Sequence, residues 1–182
     1  SLLLFAGAPQ IAIYEILSLL IYFTLWSIFE IKNIHYFLQL LLFFSISVLI
    51  GVLIAAIQLL PSIEFSKLSQ RGSEGISYAF ASDFSLHPYQ IVALLFPYFF
   101  GSPTNGSYWG KGNFWELNGY IGALPLLFAL LAIIFKKNRY VFIFLIIGTF
   151  AVLHAIGKYG FIFPFSYYHL PGFNNFRVPA RF

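Results

Sequence analysis

Cysteine is absent from the 182 residues. That removes disulfides and thiolate chemistry and leaves the redox compartment unreadable. Methionine is absent as well, even at position 1. Charge is scarce: 9% of the residues are Asp, Glu, Lys or Arg, against about 25% in a soluble domain. So few charges cannot cover a surface that faces water on all sides. Metal-ligand spacing is missing too. His35, His87, His154 and His169 form no H-x-x-H or H-E-x-x-H pair and have no Cys partner, so no metal site is expected. "GSYWGKG" fits neither a Walker loop nor a dinucleotide fingerprint, and no cofactor is expected. The net charge of +4 is scattered between apolar runs without a basic face, which excludes nucleic acid as a partner.

What is present is apolar and aromatic. Hydrophobic residues make up 60% of the chain, with 24 Phe and 12 Tyr. A bilayer core about 30 Å thick is crossed by about 20 apolar residues in a helix. Four runs approach that length: 11–29, 36–60 (closed by Pro61), 119–135 and 140–157. The run 90–100 is too short to cross and contains Pro97, so it reads as a re-entrant or interfacial helix. The expected fold is an all-α polytopic membrane protein of about four transmembrane helices, one transmembrane domain in all. "SLLLFAGAP" has neither the basic start nor the cleavage site of a signal peptide. The chain reads as an internal piece of a longer polytopic protein.

Orientation follows from "KKNR" at 136–139, the densest basic cluster in the shortest loop. The positive-inside rule places it, and Lys32, in the cytoplasm. The loop 61–118 and the tail 158–182 then lie outside the cell. Within the loop, "PSIEFSKLSQRG" reads as a short helix that starts at Pro61 and stops at Gly72. "RGSEGIS" reads as a turn, and another helix is expected to start near Pro88.

Few residues can carry chemistry. Glu15 lies inside the first span, where a carboxylate costs about 2.5–3.5 kcal/mol and faces a cavity or a partner. Gln10, Tyr14 and Ser18 recur every four residues beside it, a polar stripe suited to a wet cleft. Glu64, Glu74 and Asp83 read as solvated loop charges. Glu116, between Trp115 and the start of a span, can be buried by its neighbours. His154 and Lys158, four apart, read as an interfacial cluster. Trp109, Trp115, Tyr108 and Tyr120 suit a headgroup-level aromatic belt better than a sugar-stacking platform. Arg177 and Arg181 are also four apart and both reach one anion if their segment is helical, with Pro179 in its first turn. On spacing alone, a pair of anchors to lipid headgroups fits them slightly better.

Five stretches in order are "GAPQIAIY", "AAIQLLPSIEFSKLSQRG", "HPYQIVALLFPYFFG", "YWGKGNFWELNGYIGALPLL" and "LPGFNNFRVPARF". Together they resemble the YfhO family of bacterial membrane proteins over nearly the whole chain. That family looks like polytopic glycosyltransferases of the GT-C type, which take a sugar from a polyprenyl-phosphate donor on the outer face. Members are linked to the decoration of envelope polymers such as lipoteichoic acid. The resemblance implies a GT-C-like fold in the cell membrane, with the bilayer, a donor lipid and an envelope glycopolymer acceptor as partners. It raises Arg177 and Arg181, in "FRVPARF", from headgroup anchors to ligands of the donor phosphate. Gln10, Tyr14, Glu15 and Glu116 then line the acceptor cleft. The catalytic carboxylate of such enzymes usually lies in the first outside loop, upstream of these residues, so no catalytic residue is named. The family's first motif often carries His before Pro-Gln where this chain has Ala8, so no chemical role is assigned there. A different class fits the same features: a transporter or flippase for a lipid-linked glycan, with Glu15 and 90–100 lining the path.

Overall fold

The structure, a computed structural model, describes residues 2–30, 33–68, 76–170 and 172–182. Lys32, Arg71, Gly72, Glu74 and most of "RGSEGIS" lie outside the described residues. All regular elements among the described residues are helical. The chain divides into two compact units, Ser1–Glu74 and Gly75–Phe182.

The first unit contains α1 (Leu2–Phe5), α2 (Pro9–Glu30), α3 (Ile34–Ile54) and α4 (Ala56–Leu68). Pro9 opens α2 in the one helical position where its missing N–H costs nothing. Asn33 caps α3 by accepting the His35 N–H at 2.9 Å. Phe23 of α2 stacks on Phe37 and Phe44 of α3 at 5.7 and 5.8 Å, which pairs the two helices. Both are long and apolar enough to cross a membrane. At 1.5 Å per residue they reach about 32 Å. α3 has no buried residue, so its apolar surface is left uncovered by the rest of the unit.

The sequence expectation that Pro61 closes this helix is corrected. α3 ends at Ile54 with Ala55 as its C-cap, and Pro61 lies inside α4. The break falls ahead of the proline because Pro61 has no N–H for the Ile57 carbonyl and its ring crowds that group. The helix expected from Pro61 onward therefore begins five residues earlier.

The second unit contains α5 (Tyr78–Ala81), α6 (Phe114–Leu117), α7 (Ala123–Phe135), α8 (Arg139–Ala155) and α9 (Ile162–His169). Pro88 begins a 3-10 helix through Leu94, as its position predicts, but seven residues of 3-10 replace the expected α-helix. α7 and α8 are shorter than the runs that suggested them, at about 20 and 26 Å. α7 starts late because Gly122 holds φ +107, outside the helical region.

The segment 76–118 is packed onto the end of α8 and the C-terminal tail. The Leu86 N–H bonds the Ala155 carbonyl, the Ile76 N–H bonds the Asn174 carbonyl (both 2.9 Å), and the Tyr167 hydroxyl donates to Ile76 O at 2.5 Å. Two apolar clusters seal the join: Ile76, Ala81 and Phe163, and Leu86, Leu117 and Ala155. Gly157, at φ +61, stops α8 and lets Ser85 approach its backbone. That turn undoes the expected cluster of His154 and Lys158. His154 is fully buried against Phe163, Phe173 and Phe182, while Lys158 is exposed.

Candidate functional site

The described ion pairs of the second unit converge on its last residues. The tail turns at Gly172, makes a 3-10 turn at Phe173–Asn175, extends through Arg177 and turns again at Pro179–Arg181. No continuous helix runs across Arg177 and Arg181, so the condition under which both would reach one anion from a helix is not met. Val178 sits between them at φ +67, a left-handed conformation rare for a β-branched side chain. Such a residue costs about 1–3 kcal/mol and persists only where packing over-determines it. Here Val178 is 3% exposed and Pro179 is fully buried.

This turn separates the two arginines and gives each its own carboxylate. The Arg177 guanidinium pairs with Asp83 and lies over the rings of Phe80 and Phe84, at 4.2 and 4.6 Å from their centroids. Asp83 is held by the turn after α5, where its Oδ1 accepts the Phe84 N–H at 3.2 Å. Phe84 is itself at φ +57. Asp83 is therefore not the free loop charge that its sequence surroundings suggest. Arg181 grips Glu116 with two prongs: Nε to Oε2 at 2.8 Å and Nη2 to Oε1 at 2.5 Å. Glu116 is presented by α6, whose first turn Asn113 caps by accepting the Trp115 N–H at 2.9 Å. The hydrogen bond from Arg181 holds the Glu116 carboxyl below its ordinary value, and the charges of Arg181 and Arg177 act in the same direction. Both guanidiniums therefore lie within electrostatic reach of one carboxylate.

The other expected site residues belong to the first unit. Gln10 and Tyr14 are buried, and Gln10 Nε2 donates to the Tyr14 hydroxyl at 3.0 Å. Ser18 is half-buried. Glu15 points away from this stripe and is exposed. One residue along a helix is a rotation of about 100°, so adjacency in sequence with Tyr14 does not put Glu15 on the same face.

Sequence reasoning missed Phe80, Asp83 and Phe84 as partners of Arg177. Their one available signal was an acid flanked by aromatics in "FASDFS".

These features define an all-helical protein with two helices able to cross a membrane and a cluster of two arginines and two carboxylates in its second unit. No family profile, curated protein or solved structure matches the chain.

The arginine–carboxylate geometry has a consequence for titration. Because the folded-state value of Glu116 is depressed, its contribution to stability is complete above the ordinary value of 4.5 and is lost as pH falls through the lowered value. The titration midpoint of Glu116, followed by carbon NMR of the side-chain carboxyl, is expected below 4.5. In Arg181→Ala it is expected to move upward, because the hydrogen bond that is the largest cause of the depression is gone.

Proposed function

We propose that this chain is part of an integral membrane glycosyltransferase that moves a sugar from a polyprenyl-phosphate donor to a cell-envelope polymer on the outer face. Arg177 and Arg181 bind the donor phosphate and stabilise the charge that builds on it as the glycosidic bond breaks. Within the second unit, Glu116 lines the acceptor cleft. In this reading α7 and α8 cross the bilayer with their flanking residues, making about four spans, and "KKNR" faces the cytoplasm.

The observation that carries the reading is the two-pronged grip of Arg181 on Glu116, with Arg177 in electrostatic reach of the same carboxylate. A carboxylate held this way occupies the geometry in which a guanidinium binds two phosphate oxygens. The pairs are accessible enough to exchange: the Arg181 side chain is 44% exposed and that of Asp83 46%. The donor phosphodiester carries one negative charge, and the polyprenyl phosphate released as the glycosidic bond breaks is a monoester with nearly two, so it competes with the carboxylates for the guanidiniums more strongly than the donor does.

The test is binding of a polyprenyl phosphate to the detergent-purified protein, alongside the topology of a reporter fused after Lys137. The reading expects saturable binding that Arg177→Ala weakens and a cytoplasmic reporter. Binding unchanged by Arg177→Ala, or an extracytoplasmic reporter, overturns it.

A further inference from the structure

A second feature of the Gly75–Phe182 unit lies around the 3-10 helix Pro88–Leu94. Its outer side is a groove of about 650 Å³, walled by Tyr89, Val92, Leu95, Phe99, Phe100 and Trp109. That volume falls within the range of about 300–1,000 Å³ typical of small-ligand pockets. The walls are almost entirely hydrocarbon and aromatic ring, and Tyr89, Leu95, Phe99 and Trp109 are each more than 40% exposed. The pocket is built rather than incidental. Trp109 packs edge-on against Phe100 at 4.7 Å and is tied to it by a backbone bond, Trp109 N to Phe100 O at 2.9 Å. A sugar needs hydrogen-bonding groups in its pocket, and these walls supply almost none. A hydrocarbon chain needs none.

Basic groups neighbour the groove. The His87 ring lies 4.1 Å from that of Tyr89 and 4.6 Å from that of Tyr159. Lys158 Nζ sits over the Tyr159 ring at 5.5 Å. Lys111, two residues beyond Trp109, is close enough that its charge helps to lower the pKa of His87, after burial of the ring. Both lysines are exposed, and neither has a carboxylate partner among the described residues. Tyr89 in the wall thus adjoins His87, with Lys158 one ring further on and Lys111 acting on the same imidazole, so two uncompensated ammonium groups neighbour an apolar channel, the pairing that a lipid with a negative headgroup needs.

We infer that this groove binds one acyl chain of an anionic bilayer phospholipid, whose phosphate is met by Lys111 and Lys158. The site is distinct from the Arg177 and Arg181 cluster. It requires that the unit meet a bilayer and does not depend on the glycosyl-transfer reading. Its effect is to hold the segment 88–109 against the membrane surface.

The test uses Trp109 as the sole reporter, in a protein carrying Trp26→Phe and Trp115→Phe, reconstituted in phosphatidylcholine vesicles. Phosphatidylglycerol or phosphatidylcholine with brominated acyl chains is then added as quencher. Each lysine at a membrane surface favours an anionic lipid by about fivefold, so with two lysines brominated phosphatidylglycerol is expected to quench at roughly 25-fold lower mole fraction. Lys111→Gln with Lys158→Gln abolishes the preference, and Lys111→Arg with Lys158→Arg keeps it, which separates lost charge from lost fold. Arg177→Ala leaves it intact. Equal quenching by the two lipids overturns the inference, as does a preference that survives loss of both lysine charges or disappears with Arg177→Ala.

Discussion

Replacing Gly157 by alanine is expected to destabilise the second unit by about 2–4 kcal/mol, the sum of a disallowed backbone conformation and an overpacked contact. Gly157 sits at φ +61, where an L side chain is strained. A Cβ there would lie 2.1 Å from Ser85 Oγ, 2.6 Å from Ser85 Cβ and 3.0 Å from Pro179 Cγ. Ser85 has little freedom to withdraw. Its hydroxyl donates to the Ser82 carbonyl at 2.5 Å and accepts the Lys158 N–H at 3.0 Å. Pro179, on the other side, is fully buried in the turn that sets Arg177 and Arg181. The damage should therefore reach the arginine cluster. Thermal unfolding of the purified protein in detergent checks the magnitude. Combining Gly157→Ala with Ser85→Gly should recover the steric part of the loss and leave the backbone part. A single variant as stable as the parent chain would mean that the 76–118 segment does not pack on the end of α8 in this way.

Exchanging the partners of the exposed ion pair should separate stability from binding. Arg181→Glu alone sets two carboxylates against each other at the α6–tail contact. It is expected to lower the unfolding midpoint and to weaken polyprenyl-phosphate binding by roughly 10- to 100-fold, the worth of a charge-assisted hydrogen bond. Adding Glu116→Arg restores an ion pair of reversed polarity. The unfolding midpoint should return most of the way, because the Coulombic attraction is the same. Binding should stay lost, because the guanidinium now projects from α6 instead of from the turn beside Arg177. Recovery of binding with the double exchange would assign Arg181 to a clamp that fastens the tail, with no direct contact to phosphate. Stability is read by heating in detergent and binding by titration with the same lipid, so the two outcomes are independent.

The candidate site was legible in its charged residues and hidden in their pairing. Arg177, Arg181 and Glu116 stand out because charge is rare in this chain. Their partners do not, because Asp83 and Arg177 are 94 residues apart and Glu116 and Arg181 are 65 apart. No local pattern encodes contacts across such distances. Whether "RVPAR" forms a helix turned on one residue. The buried packing of Val178 imposes a left-handed backbone that propensity alone would never assign to valine. The face that Glu15 occupies was hidden for a simpler reason. A residue's place in a span says that its charge is costly, while its face of the helix decides what it meets.

By itself the sequence determined the helical class, the two long apolar helices and the rarity and location of the charges. Hydrophobic run length and composition are properties of contiguous residues, and they survive any arrangement of the chain. Only the tertiary structure decided that α3 breaks at Ala55 ahead of Pro61, that His154 is buried while Lys158 is not, and that each arginine of "NNFRVPARF" holds its own carboxylate. These outcomes depend on which backbone turns the surrounding packing can enforce. The Gly157 and Val178 turns are enforced by Ser85, Pro179 and the buried rings around them, contacts that form only once distant segments meet.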